Sequence, residues 1–413
     1  MKDWKPYTFN EAVECNPKIS IKKGEIVENC EMEDIEPNYR FLYPRQGKLY
    51  KGSNAKFQNG DTVFARITPC LENGKIAQIR GLKKNRGIGS TEFFVFRGKK
   101  NISDNDYIFY LSKTNLVRDT AIISMTGASG RQRADIKSVK KINILLPPFR
   151  TQERIASILS AYDDLIEVNN QRIKLLEETA RELYKEWFVR MRFPGYKKAK
   201  FVKGVPEGWE VKELKDFGKV ITGKTPSTFV QEFYGGNIPF IKTPDMHGNM
   251  FILETEEHIS DKGLNSQKSQ TLPSGSIIVN CIGALSGAVS ITTETSQTNQ
   301  QIHSIKLTNT KNLEFLFFAI SALREMIHMY GNTGSTMTHL SKGKFEKLHI
   351  LFPKKDLILD YNEITFSMFE QIKTLVQQNT QLRQIRDRLL PRLISGKLEV
   401  KVNINSNETT AIS

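Results

Sequence analysis

The chain has 413 residues, 39% of them hydrophobic and 25% charged, which gives room for two to three ordinary globular domains. No basic-apolar-small pattern at the N-terminus marks a secretion signal, and the longest apolar run (Phe315 to Leu323) is far shorter than the roughly 20 residues of a bilayer span, so a cytoplasmic protein without a membrane partner is expected. The net charge of +15 is uneven: residues 1–150 hold 27 Lys/Arg against 16 Asp/Glu, whereas residues 201–413 hold 23 against 21, and such a surplus points to a polyanionic partner on the first part.

In chain order, residues 1–150 read as a mixed domain. Short β-rich runs at 62–67, 75–79, 92–97 and 141–146 are separated by Gly and Asn turns, and a helix over 104–116 is capped by Asp104 or Ser103. Residues 151–193 predict one long helix. Ile166, Asn169, Ile173, Leu176, Ala180, Leu183 and Trp187 recur at alternating steps of three and four, the spacing of a coiled-coil seam. Arg172, Lys174, Glu177, Glu178, Arg181 and Glu182 leave the remaining faces charged. Pro194-Gly195-Tyr196 opens a linker over 194–208.

From Trp209 the plan repeats, 205 to 215 residues downstream. Trp209, Leu214 and Phe217 restate Trp4, Phe9 and Ala12. Gly275-Ser276-Ile277-Ile278-Val279 restates Gly60-Asp61-Thr62-Val63-Phe64, and Ile350-Leu351-Phe352-Pro353 restates Ile144-Leu145-Leu146-Pro147. In this second domain, residues 209–355, strands are expected at 276–281, 288–292 and 302–307 and a helix at 313–329, while 210–217 reads as a polar amphipathic helix. A second long helix over 356–401 repeats the seam 209 residues on, at Leu375, Gln378, Leu382, Ile385 and Leu389. One polar seam position per helix (Asn169, Gln378) costs stability and fixes register. Near its end Leu393 takes the place of Arg392 in the seam, and Pro391 is expected to kink or stop the helix. Residues 402–413 lack periodicity and read as a disordered tail. The fold class expected is α+β: two similar mixed α/β domains and two long helices.

Several motifs resemble catalytic ones and lack the chemistry. Gly218-Lys219-Val220-Ile221-Thr222-Gly223-Lys224-Thr225 fits GxxxxGK[ST], but a phosphate loop needs a buried strand before it and a helix starting at the lysine. Pro226 pushes Thr225 away from helical geometry. An exposed Lys224, Thr225 and Ser227 able to touch a phosphate backbone is the better reading. Leu146-Pro147-Pro148-Phe149 has the prolines of the Asn-Pro-Pro-aromatic motif of amino-methyltransferases without its asparagine. Pro244-Asp245 has no acidic-x-Lys partner. The six histidines show no metal-ligand pairing, and His303, alternating with Ile302 and Ile305, reads as a strand residue. Cys15, Cys30, Cys70 and Cys281 have no ligand spacing and read as reduced thiols. A non-catalytic chain with no metal site is expected.

Two loops remain. Thr126-Gly127-Ala128-Ser129-Gly130-Arg131-Gln132-Arg133 combines backbone access, hydroxyls and guanidiniums, and Gly331-Asn332-Thr333-Gly334-Ser335-Thr336-Met337-Thr338-His339 takes the same place in the second copy. Exposed amides, hydroxyls and cations hold phosphates, while Arg and Gln also pair with purine edges. The DNA-binding candidates in the first domain are Thr126, Ser129, Arg131, Gln132 and Arg133, with Lys75, Arg80, Lys83, Lys84, Arg86 and Lys137. In the second they are Lys224, Thr225, Ser227, Lys242, Thr333, Ser335, Thr336, His339, Lys342 and Lys344.

Four stretches stand out together: Leu146-Pro147-Pro148; Gln152-Glu153-Arg154-Ile155-Ala156 through Trp187-Phe188; Pro206-Glu207-Gly208-Trp209 with Thr222-Gly223-Lys224-Thr225-Pro226-Ser227; and Arg388-Leu389-Leu390-Pro391-Arg392-Leu393-Ile394-Ser395-Gly396-Lys397-Leu398. On these the chain resembles the specificity subunit of a type I restriction-modification system. The resemblance implies two target-recognition domains, each reading half of a bipartite, gapped site on double-stranded DNA from the major groove. It also implies two helices that pair antiparallel, separate the domains and dock two methyltransferase subunits, with a restriction/translocase subunit completing the endonuclease. S-adenosylmethionine, ATP and Mg²⁺ would then belong to the partners, leaving no cofactor in this chain. Lys354-Lys355-Asp356 departs from the fuller Pro-Pro-x-x-x-Gln-Glu-x-Ile run at the centre. A helix of about 38 residues is roughly 57 Å long, against about 34 Å per DNA turn, so the helices can serve as a ruler between half-sites. Two other readings stay open on the residues: a coiled-coil scaffold that never meets DNA, and a nucleotide-binding protein working through Lys224.

Overall fold

The computed structural model describes residues 3–283, 286–331 and 340–401. The tail expected at 402–413 lies outside the described residues. The chain forms two compact units, Met1–Val168 with Asn379–Ser413, and Asn169–Gln378, so each long helix is divided between the two units.

The first unit is built on a five-stranded sheet in the order Val13–Cys15, Phe93–Gly98, Thr62–Ala65, Ile76–Ile79, Phe41–Leu42. Its neighbours are antiparallel except the last pair, which is parallel. Period-2 alternation sends side chains to opposite faces, and here both faces are covered. Phe64, Ile76, Phe94 and Phe96 join the core under the helices, while Val63, Ala77, Phe93 and Val95 join a second core. A four-stranded sheet adjoins it, in the order Arg45–Leu49, Ile26–Cys30, Gly87–Gly89, Ala55–Phe57. Its glycines are there for room: a Cβ at Gly89 would lie 2.7 Å from the Phe57 ring and 2.8 Å from the Cys30 carbonyl. A ribbon of Lys5–Thr8 with Asn143–Leu146 closes the unit.

The helix expected over 104–116 is two helices, Asn105–Ser112 and Asn115–Ile123. Asp104 caps the first through the Tyr107 amide at 2.8 Å, as expected. The break falls at Ser112-Lys113-Thr114, where Ser112 and Thr114 hydroxyls donate to the carbonyls of Ile108 and Leu111 and compete with helix propagation.

The second unit repeats this frame. Its sheet runs Gly218–Thr222, Ile302–Leu307, Ile277–Asn280, Val289–Thr292, Phe251–Ile252, again antiparallel with a parallel last pair. Beside it lies a three-stranded sheet of Glu257–Ile259, Tyr234–Ile241 and Gln297–Thr298. The helix expected at 313–329 is again split, into Leu313–Ala322 and Arg324–Gly331. Residues 210–217 correct the sequence reading. Glu210–Glu213 is a strand paired with His349–Phe352, and only Leu214–Phe217 forms a short 3-10 turn, with Leu214 and Phe217 buried. Cross-strand pairing here overrides the helical spacing of the side chains.

The long helices are Phe149–Tyr184, continued by a π-helical turn at Lys185–Val189, and Lys355–Ile394. Gln152 explains the Gln-Glu motif at the first helix start: its buried amide donates to the carbonyls of Ile102 and Pro147 and accepts from the Asp104 amide. Pro391 neither stops nor ends the second helix. It lies in the last turn, and the chain leaves the helix at Gly396, which takes a positive φ of 70°. In the first unit Asp163 pairs with Arg386, and in the second the Tyr361 hydroxyl donates to the Ala180 carbonyl at 3.1 Å. Early residues of one helix meet late residues of the other, so the pairing is antiparallel.

The seam of the first helix includes buried Ile166, Asn169 and Ala180, with Ile173, Leu176 and Leu183 half-buried. On the second helix the expected register slips. Leu375 is buried, but Gln378 and Ile385 are exposed and Leu382 and Leu389 only half-buried, whereas Asn379, Arg386, Leu390 and Leu393 are buried. The repeat between the helices is 206 residues, the distance from Phe149 to Lys355, and it aligns buried Ile166 with Ile372, Ala180 with Arg386 and Trp187 with Leu393.

Inside the first unit a buried polar network ties sheet to helices. Arg40 donates to Gln78 at 2.9 Å and Ser160 at 2.5 Å and pairs with Asp106 at 2.7 Å, while the Tyr110 hydroxyl donates to Asp163 at 2.5 Å. Such a network fixes geometry because every member needs its partner. Cys30 and Cys281 are buried free thiols, and burial pushes both up to about 12.

Candidate nucleic-acid interface

In the first unit, the loop between Asn115–Ile123 and Ile136–Lys140 is closed by a backbone pair between Thr126 and Arg133, with N···O distances of 3.1 and 2.9 Å. It is anchored to the sheet by Thr68 N to Gln132 O at 3.0 Å and Ala134 N to Arg66 O at 2.8 Å. Residues 126–131 are exposed, so Thr126, Ser129 and Arg131 are available to a ligand. Arg133 is not available in the same way. Its guanidinium forks onto Glu92 at 2.7 to 3.0 Å, and Arg66 holds the same carboxylate at 3.2 Å. Arg133, then Arg66, hold the Glu92 carboxyl below its ordinary range. Arg133 therefore positions the loop.

Beside Arg66 opens a concavity of 690 Å³ lined by Lys18, Ser20, Ser53, Asn54, Lys56 and Thr91 among others. Lys18 and Lys56 form no ion pair among the described residues, and Lys56 lies 4.9 Å from the Tyr50 ring centroid. The sequence reading missed these residues, although Lys51-Gly52-Ser53-Asn54-Ala55-Lys56 carries a signal in its lysines and small polar groups.

The other first-unit candidates divide. Lys75 donates to the Met32 carbonyl at 2.9 Å, and Arg86 is held by Glu25 at 2.5 Å and the Ser20 carbonyl at 3.2 Å, so both are tied internally. Arg80 stacks on Phe41 and lies 3.7 Å from Asp164 on the long helix, away from the loop's contacts. Lys83, Lys84 and Lys137 are exposed, and Gln132 is half-buried.

In the second unit Thr333, Ser335, Thr336 and His339 lie outside the described residues. The residue after that loop is anchored as in the first unit: Leu340 N donates to Cys281 O at 3.1 Å. Lys342 reaches Glu346 at 3.5 Å, Lys344 is exposed, and Lys242 is paired with Glu257 at 2.6 Å. The phosphate-loop pattern fails on geometry. No helix follows Lys224, its amide donates to the Thr298 carbonyl at 2.9 Å, and a Cβ at Gly223 would collide with the Thr298 and Asn299 carbonyls. Its side chain is exposed beside Ser227, and the Thr225 hydroxyl donates to Gln300 at 2.8 Å.

Gln300 was also missed. It sits in Ser296-Gln297-Thr298-Asn299-Gln300-Gln301, a run of amides and hydroxyls that precedes Ile302–Leu307 as Glu92 precedes Phe93–Gly98. His303 is a buried strand residue, its ring 3.0 Å from the Thr222 hydroxyl and 2.7 Å from the Leu340 carbonyl, as expected. No helix among the described residues is long and apolar enough to cross a membrane.

The family model for the type I restriction modification DNA specificity domain matches this chain twice, over residues 1–178 and 206–384. The chain is 28% identical to the type I restriction enzyme HindI specificity subunit of Haemophilus influenzae, over 96% of this chain and 100% of that protein. It is also 28% identical to the MjaIX specificity subunit of Methanocaldococcus jannaschii, over 88% of this chain and 85% of the other. The fold resembles the crystal structure of a type I restriction-modification S subunit from M. genitalium, with a TM-score of 0.55 and 15% identity over 95% and 96% of the two chains. Two copies of the specificity domain on a repeated sheet-and-helix frame place the chain in the type I restriction-modification DNA specificity family, as a specificity subunit.

Proposed function

We propose that each unit reads one half of a bipartite, gapped site on duplex DNA and that the chain seats modification subunits on that site. The observation that carries this reading is the repeated frame: one strand order, one strand end that anchors Ala134 in the first unit and Leu340 in the second, and unlike sequences before those two residues. Duplex DNA offers the same phosphates everywhere and different base edges at each half-site, so a duplicated frame with unlike readers suits two short words. In the first unit the readers are Ser129, Arg131 and Gln132, with Lys18 and Lys56 on phosphates. In the second they are Gln300 and Ser227, with Lys224 and Lys344 on phosphates.

The partners in this reading are two methyltransferase subunits, one per specificity domain, and restriction/translocase subunits. S-adenosylmethionine, ATP and Mg²⁺ belong to those partners, and the chain itself performs no chemistry. The complex works on DNA in the cytoplasm. Duplex binding by the reconstituted complex at a series of salt concentrations tests this. Lys56→Ala should weaken all duplexes alike and lower the salt slope by roughly one unit, whereas a base reader such as Arg131 should relax a single position by about 1–3 kcal/mol when changed to Ala. Binding that ignores salt would count against any phosphate-contacting role.

A further inference from the structure

The turn Ser227-Thr228-Phe229-Val230 in the second unit carries an aromatic ring that no other part of the unit covers. Phe229 is 96% exposed, the most open of the large apolar side chains among the described residues. The backbone beneath it is held on both sides. The Val230 amide donates to the Ser227 carbonyl at 3.2 Å, which places Thr228 and Phe229 at the centre of a β-turn. Before the turn, the Lys224 amide donates to the Thr298 carbonyl at 2.9 Å, and the Lys224 carbonyl accepts from the Gln267 amide at 2.6 Å. The Tyr234 hydroxyl donates to the Pro226 carbonyl at 2.7 Å, and after the turn the Phe233 amide donates to the Val230 carbonyl at 3.0 Å. The ring is thus presented to solvent by a tethered frame.

Its surroundings indicate the class of ligand. Lys224 is exposed and forms no ion pair among the described residues, Ser227 and Thr228 are exposed, and exposed Gln300 accepts from the Thr225 hydroxyl at 2.8 Å. A cation and hydroxyls suit phosphate oxygens, and a side-chain amide suits a base edge. The core of a protein interface would surround the ring with further apolar surface, and these polar neighbours do not. The equivalent place in the first unit points the same way. Residues 223–230 follow the edge strand Gly218–Thr222 as residues 16–21 follow the edge strand Val13–Cys15. There Lys18 lines the concavity with Lys56 and Arg66, while Ile19 and Ile21 pack into a small core. A cation recurs after the edge strand, and the open ring is peculiar to the second unit.

A turn with its flanking side chains needs width, and the major groove of duplex DNA offers about 12 Å against about 6 Å in the minor groove. Among the groups that mark base pairs in the major groove, the apolar one is the C5-methyl of thymine. We propose that Phe229 packs on a thymine methyl in the half-site read by the second unit and so selects thymine at one position there. This contact rests on the reading that the second unit meets duplex DNA, and it names the chemical group that is read.

The test uses the complex of this chain with its modification subunits and duplexes carrying the site mapped for the wild type. The second unit's half-site is the half kept when residues 127–132 are replaced. Each thymine in it is exchanged in turn for deoxyuridine, which lacks only the methyl. Loss of one buried methyl should weaken wild-type binding about fourfold at one position. Phe229→Ala should bind the thymine and deoxyuridine duplexes alike at that position, and Phe229→Leu, still apolar, should keep part of the preference. The ring is open to solvent, so both variants should melt with the wild type. A half-site without thymine, wild-type binding indifferent to every deoxyuridine in it, or a Phe229→Ala variant that keeps the full preference would overturn the methyl contact and leave the reading of DNA standing. A wild-type complex that binds mapped and scrambled duplexes alike would overturn that reading and the contact with it.

Discussion

Asp163 is the residue whose loss should be felt most widely in the first unit. It is 3% exposed, accepts from the Tyr110 hydroxyl and pairs with Arg386, which is also 3% exposed. Asp163→Leu leaves that hydroxyl without its acceptor and leaves Arg386 with Asp387 alone, whose side chain is 56% exposed. Breaking one side of a buried ion pair costs about 3–5 kcal/mol. For a unit of this size each kcal/mol moves the melting temperature by about 2–4 °C, so the expected drop is roughly 6–20 °C. Asp163→Leu combined with Arg386→Leu removes both charges and should recover most of the loss, since apolar replacement of a whole buried pair is close to neutral. Calorimetry of the full chain, with hydrogen exchange on Asn105–Ser112 to assign the transition, provides the comparison. A single variant that melts with the wild type, or a double variant less stable than the single, would refute the network's role.

Four further outcomes are expected. Burial pushes the Glu314 carboxyl from its ordinary 4.5 up to about 7, so its contribution is intact below the ordinary value and stability is lost as pH rises through the folded one. Glu314→Gln should therefore stabilise the second unit by up to about 3 kcal/mol at pH 8.5 and leave it unchanged at pH 4; an equal effect at both pH values would contradict this. Glu92, held low by Arg133 and Arg66, should pin the 126–133 loop above the ordinary glutamate value and release it as pH falls through the lowered one. Protection of the Thr126 and Arg133 amides, with each exchange rate taken relative to the intrinsic rate at that pH, should fall in acid, and Glu92→Gln should show that loss already at pH 6; protection that ignores both changes would show the pin to be irrelevant. Arg131→Ala should alter binding of duplexes that differ in one half-site only, read by competition between duplex variants. Inserting four residues after Leu176 lengthens the first long helix by about 6 Å and, if the helices set the gap, should widen it by roughly one or two base pairs; mapped sites with an unchanged gap would discard the ruler.

Sequence pattern showed the repeat clearly because each copy carries the same short signals in the same order. Thr62–Ala65 and Ile277–Asn280 were legible as apolar runs after a Gly-Asp or Gly-Ser turn, and the helix at Asn105 by its Asp104 cap. Its ending was not, because Ser112 and Thr114 act through hydroxyl contacts that spacing does not reveal. The phase of the second seam misled for a specific reason: Leu382, Ile385 and Leu389 form an apolar stripe next to the true one, which contains Asn379 and Arg386. A seam with two polar members looks less apolar than its neighbour until Asp163 is seen opposite Arg386. At the interface, exposure of residues 126–131 followed from composition, whereas the commitment of Arg133, Arg86, Lys75 and Lys242 to internal partners depends on long-range contacts. Lys18 and Lys56 meet in one concavity only because the strands between them fold together.

The most direct measurement is genome-wide mapping of modified adenines in cells that carry this chain with its modification subunit, comparing the wild type with a variant whose residues 127–132 are replaced. A bipartite, gapped motif is predicted, with one half changed by the replacement and the other half kept. A continuous motif, or a replacement that altered both halves together, would contradict the account.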